Sequence, residues 1–148
     1  MQNQLVHRLA ILLADTYTIY LKTQNYHWHV IGPLFKPLHG LFEEQYGVLA
    51  EAVDSIAERI RVLGHQAPAT FSEFQRLKTI QDGHSDASAN QMLTDLVGDH
   101  TTLLHDIKQV LLLAEKCDDA GTVDLLDSRI VEHEKMRWML SASCELGS

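Results

Sequence analysis

Residues 36–64 read KPLHGLFEEQYGVLAEAVDSIAERIRVLG, and this stretch decides the fold. Leu38, Leu41, Phe42, Leu49, Val53, Ile56, Ile60 and Leu63 recur at helical spacing, which predicts a helix over 36–63. Pro37 is tolerated in a first turn, and Gly64 is a C-terminal stop. With His39 set to zero on the helical wheel, Glu43 falls at about 40°, Asp54 at about 60° and Glu58 at about 100°. The apolar residues centre roughly 150° round from that stripe, so His39, Glu43, Asp54 and Glu58 point away from the core of their own chain. His27 precedes this set by one turn-linked segment. Two histidines and three carboxylates are an iron-type ligand set.

Distance constrains how such a set can act. Glu43 and Asp54 lie about 16 Å apart along the axis, while metal–oxygen bonds span about 2 Å. One chain therefore cannot close a site from both pairs. Two copies of the helix packed antiparallel across a twofold axis can. Position 39 then faces 58 and 43 faces 54, and both pairings share one centre, between Val48 and Leu49. Gly47 and Ala50 lie nearest that centre on the same stripe, and small residues there permit close approach of two axes. A stripe of acids and a histidine is also what a solvated helix face presents, or a twofold interface without metal.

Working outward, helical spacing predicts a first helix over about 4–29, a third over about 88–116 and a fourth beginning near Thr122 as N-cap. Residues 65–87 form a long connection in which Phe71–Leu77 make a short helix packed by Phe74 and Leu77. No segment alternates with period two. Four amphipathic helices with one long link between the second and third describe an all-α, ferritin-like four-helix bundle in a single domain, residues 1–148. No acid stands three residues before a histidine on the third or fourth helix. The Glu-x-x-His pairs of an iron site inside one bundle are thus missing.

The 148 residues carry a formal net charge of −8, with no basic cluster, which opposes nucleic acid and anionic membrane as partners. Apolar runs are too short and interrupted for a membrane span. The start, MQNQLVHRLAILLADT, lacks a basic region followed by a small-residue cleavage site, so a cytoplasmic protein is expected. Cys117 and Cys144 stand singly, outside any C-x-x-C pair.

The run Asn25-Tyr26-His27-Trp28-His29-Val30-Ile31-Gly32-Pro33-Leu34-Phe35-Lys36-Pro37-Leu38-His39, then Phe42-Glu43-Glu44, then Asp54-Ser55-Ile56-Ala57-Glu58-Arg59, resembles the Dps family of mini-ferritins. The resemblance extends over nearly the whole chain. It implies that His27, His39, Glu43, Asp54 and Glu58 are the iron ligands and catalytic residues of a ferroxidase, holding one or two irons per site. Glu43 stands where the family more often has Asp, one methylene shorter. The resemblance further implies a dodecameric shell with sites at twofold interfaces, oxidation of Fe(II) by hydrogen peroxide or oxygen, and ferric mineral stored within. Trp28 is either an interceptor of oxidising equivalents or a packing aromatic.

Asp118, Asp119, Asp124 and Asp127 gather at the start of the fourth helix. The family resemblance makes them candidates for a threefold pore admitting Fe(II), and acids at a helix N-terminus also simply stabilise its dipole. His7, His29, His65, His84, His100, His105 and His133 read as surface or hydrogen-bonded histidines. The family's other activity, DNA protection by binding, usually depends on a basic terminal tail. Here Arg8 is the one early basic residue and the chain closes Cys144-Glu145-Leu146-Gly147-Ser148, so a nucleoid-binding role is the weaker alternative.

Overall fold

Four long helices and one short one make up most of residues 1–144, the part of the chain that the structure, a computed structural model, describes. They are α1 (Gln2–His29), α2 (Phe35–Val62), α3 (Phe71–Leu77), α4 (Ala89–Lys116) and α5 (Ala120–Ala142). Residues 145–148, on which the expectation about tail charge partly falls, lie outside the described residues. The all-α bundle, the long link and its short helix are as the periodicity predicts.

Local signals explain the boundaries. Gly64, at φ +90°, takes the left-handed conformation that ends α2 just beyond Leu63. Thr70 caps α3 through the Glu73 N–H. Ser88 and Gln91 form a reciprocal capping box at the start of α4. The fourth long helix differs from expectation at its start. It begins at Ala120, capped by Asp119, whose carboxylate accepts from the Thr122 N–H. Asp118 turns the chain at φ +54° directly after α4, so the cap is set before Thr122 is reached.

α1 packs chiefly on α2 and α4 on α5, and the two hairpins join through α1–α4 and α2–α5 contacts. Lys22 and Tyr26 near the end of α1 meet Asp95 near the start of α4, so those two helices run antiparallel. The connection after α2 travels along α1 and is pinned at its middle. There the buried Asp15 accepts from the N–H groups of Thr79 (2.6 Å) and Ile80 (3.0 Å) and from the Thr79 hydroxyl (2.7 Å). Removing that carboxylate orphans two backbone donors beneath the crossover. Asp15→Ala is expected to lower stability by about 3 kcal/mol, read as a shift in urea unfolding.

Leu9, Leu13, Ile19, Phe42, Leu49, Ile56, Leu96 and Ile107 are among the side chains filling the core. Buried polar side chains interrupt it. Lys22, 3% exposed, lies 2.7 Å from Asp99 and 3.1 Å from Asp95. His100 and His133 are fully buried, with their Nδ1 atoms 3.0 Å apart and Arg129 Nη2 3.5 Å from His133 Nε2. These two histidines are hydrogen-bonded, as one of the sequence readings has it, but neither is on the surface. Each occupies an inward position of its helix, alongside Leu96 and Leu103 on α4 and Met136 and Leu140 on α5.

Candidate functional site

The turn between α1 and α2 folds the chain back so that His27 and His39 meet face to face. Their ring centroids are 3.7 Å apart, with planes 13° from parallel. Each ring binds the other's backbone: His27 Nδ1 lies 2.7 Å from the His39 carbonyl oxygen, and His39 Nδ1 lies 2.7 Å from that of His27. A carbonyl only accepts, so both Nδ1 atoms carry the proton and donate it. Both Nε2 atoms are left as lone-pair donors suited to a metal ion. Phe35 stacks on His39 at 4.9 Å, and Tyr46 meets His27 edge-on at 5.3 Å. The pair is thus clamped by four groups before any ligand arrives.

Glu43, Asp54 and Glu58 follow along α2, all exposed, and none makes a hydrogen bond or ion pair to another described residue. The structure brings His27 and His39 together and leaves Asp54 and Glu58 further along the same helix. Within one chain, no three His, Cys, Asp or Glu side chains among the described residues are grouped to hold a metal ion. A methyl group built on Gly47 would meet nothing within 4 Å, so this glycine is not required by packing inside the chain. Trp28 is 60% exposed, and Ile31, Leu34 and Phe35, where α1 turns into α2, are also exposed.

The acids at the start of α5 divide into two kinds. Asp118, Asp119, Asp124 and Asp127 line one open cleft together with Glu115. Asp119 is already committed: its Oδ1 lies 2.6 Å from Arg59 Nη2, and its Oδ2 accepts from the Thr122 hydroxyl at 2.6 Å. Burial works against ionisation there, but the bonds from Thr122 and the Arg59 guanidinium outweigh it and hold the Asp119 carboxyl below its usual range. A Cβ on Gly121 would stand 2.7 Å from that guanidinium, so the glycine makes room for it. Arg59 follows Glu58 directly and so ties the end of the acidic stripe to the start of α5. The partner of Arg59 is 60 residues away and spacing does not reveal it, whereas Tyr46 falls at about 340° on the α2 wheel, where spacing alone sets it beside His39.

Comparison with known proteins places this architecture. The Ferritin-like domain model matches residues 6–147. "DNA protection during starvation protein 2" of Bacillus anthracis is 36% identical over 142 residues, 96% of this chain and 97% of that one. The crystal structure of a Dps protein from Bacillus brevis superposes with a TM-score of 0.92 at 33% identity, covering 95% of each chain. The chain belongs to the Dps family. A third relative, the Dps protein of Vibrio cholerae O1, is described as a member of a broad superfamily of ferritin-like diiron-carboxylate proteins. It shares 35% identity and a TM-score of 0.90 over 95% of this chain and 88% of its own. Among the described residues of this Dps protein, no helix is long and apolar enough to cross a membrane.

Proposed function

We propose that this Dps protein is a ferroxidase. Fe(II) is bound between two copies of the chain, oxidised by hydrogen peroxide or oxygen, and stored as ferric mineral inside a closed shell, most simply the family's dodecamer. The observation that carries this reading is the reciprocal clamp of His27 on His39, the first member of the stripe that continues as Glu43, Asp54 and Glu58, because it leaves both Nε2 lone pairs unused. In the antiparallel pairing, His27, His39 and Glu43 of one copy meet Asp54 and Glu58 of the other. Imidazole holds ferrous iron, and the hard carboxylates favour the ferric product, so the donor set itself promotes oxidation. Glu43, one methylene longer than Asp, reaches further from the helix and so bears on whether one or two irons are held. Asp118, Asp124 and Asp127 concentrate Fe(II) at the shell's openings, while Asp119 serves as the cap of α5.

DNA binding is not part of this reading, since a net charge of −8 per chain repels phosphate. The test has two parts. Light scattering is expected to give a closed oligomer, and a monomer or plain dimer contradicts the shell. Anaerobic Fe(II) titration followed by peroxide is expected to give saturable binding and ferric absorbance in the parent chain. The same result from His39→Ala and Glu58→Ala chains would sink the assignment of the site.

A further inference from the structure

Arg129 stands at an inward position of α5, with 7% of its surface exposed. A guanidinium stays protonated in a protein, so a full positive charge is held inside the bundle. Burial is the largest influence on it and opposes that charge, while Glu132 and Glu51 support it from a distance. Neither acid pairs with it. Among the described residues no carboxylate lies within ion-pair distance of Arg129, whereas the buried Lys22 has two, Asp95 and Asp99. Its hydrogen bonding is equally thin: Nη2 makes one long contact, 3.5 Å to His133 Nε2, and the buried Nε has no partner. The neighbours add donors. A guanidinium only donates, so His133 accepts at Nε2 and carries its proton at Nδ1. That proton goes to His100 Nδ1, 3.0 Å away, which leaves the His100 proton at Nε2, buried and without an acceptor. Arg137 brings a second guanidinium to the same α4–α5 seam, bonded to the Thr101 hydroxyl at 3.3 Å. On α2, Gln45 Oε1 is buried and unpartnered, but it is neutral, and its amide is held by the Met136 carbonyl at 3.2 Å. An unpaired buried charge is strongly destabilising, and buried polar atoms without partners are rare. One negative charge is missing here.

We propose that the Arg129–His133–His100 cluster is a binding site for a small monovalent anion, a halide such as chloride, seated on the Arg129 Nε–H edge. The ligand class follows from charge and enclosure. One guanidinium calls for one negative charge, and the enclosed Nε calls for an ion that sheds its water at low cost and needs no particular orientation. Phosphate, larger and doubly charged, costs far more to dehydrate. A cation is excluded by two guanidinium groups and by imidazoles already committed as donors. The bound ion completes the hydrogen bonding of Arg129 and so strengthens the packing of α5 in the bundle. None of these residues belongs to the stripe His39, Glu43, Asp54 and Glu58, so the site stands independently of the ferroxidase reading.

The test uses the intact assembly, crystallised without halide and transferred to bromide, which its anomalous scattering identifies. A bromide peak within hydrogen-bond distance of Arg129 Nε is expected. A water, an empty site or a carboxylate of a neighbouring chain at that position overturns the proposal. The second arm is thermal unfolding in sodium chloride and in sodium gluconate at equal ionic strength, gluconate being too large to enter. The parent's unfolding temperature is expected to rise by several degrees more in chloride than in gluconate, with a difference that grows with the logarithm of concentration above saturation. Arg129→Met, similar in reach and checked for folding by circular dichroism, is expected to lose that difference. An equal rise in both salts for the parent, or a chloride-specific rise undiminished in Arg129→Met, overturns the proposal. A bromide peak without chloride-specific stabilisation marks an adventitious ion only and overturns it as well. The two measurements on the parent chain decide the matter where Arg129→Met fails to fold.

Discussion

Shells built only from His39→Ala chains, or only from Glu58→Ala chains, are expected to lose Fe(II) oxidation by about a hundredfold or more, yet shells co-assembled from both are expected to recover it. The size of the loss follows because even partners that only orient a metal ligand cost 10- to 100-fold when removed, as a rough guide, and these residues are proposed as ligands themselves. The recovery follows from the twofold geometry. In the proposed pairing, where His39 of one copy serves with Glu58 of its neighbour, one site of a mixed pair combines both substitutions and the other has neither. Random co-assembly makes about half of the pairs mixed, each with one whole site of two, so about a quarter of parental activity returns. If each site were built within one chain, every site would lack a ligand and mixing would restore nothing. The measurement is initial rate of ferric absorbance after peroxide, in singly substituted and co-refolded assemblies at equal protein concentration.

Acidification is expected to destabilise the bundle through His100 and His133. Both lie in the core, where burial pushes their pKa values down, reinforced for His100 by Arg129 and Arg137 and for His133 by His100 and Arg129. Glu132 and Glu51 act on Arg129 in the opposite sense, but burial dominates there too and lowers it. The folded chain therefore keeps both rings neutral, while the unfolded chain protonates them near the ordinary value of about 6.5. A depressed folded value means that stability is full above that pH and falls as pH drops toward the folded value, about 3 for His100. For His100 alone the loss between about pH 6.5 and pH 5 is about 2 kcal/mol. Asp99 works the other way in part of this range, because burial raises its carboxyl to about 6 and the folded state then holds the extra proton. A double variant isolates the histidines. His100→Leu/His133→Leu removes both titrating rings and also takes His133 Nε2 from the buried Arg129, a cost that does not vary with pH in this range. The double variant is therefore expected to start less stable than the parent and to lose less stability between neutral pH and about pH 5. Equal slopes of unfolding free energy against pH in the two proteins would refute this account.

The fold was legible because its signals are local and repeated. Leu38, Phe42, Leu49, Ile56 and Ile60 mark one face of α2 whatever surrounds it, and Gly64 ends that helix by its own backbone conformation. Where two competing caps stood close together, periodicity alone chose Thr122, whereas the turn at Asp118 set the cap at Asp119. The buried histidine pair was illegible for a different reason. His100 and His133 are 33 residues apart, and only packing of α4 on α5 gives each the other as a partner. A lone histidine on an apolar face carries no mark of that in sequence.

By itself, the sequence determined the all-α bundle, the long crossover and the single stripe of His39, Glu43, Asp54 and Glu58, because helical periodicity converts spacing directly into facing. Its equal pairings about the centre of α2 also made a two-chain site the economical reading. Only the tertiary structure decided how the donors are prepared. The return of α2 along α1 stacks His27 on His39, commits each Nδ1 to the other's carbonyl and sets Tyr46 against the ring. It also withdraws Asp119 from the acidic group by pairing it with Arg59. Those outcomes depend on which side chains converge from distant parts of the chain, and spacing along one helix holds no information about that.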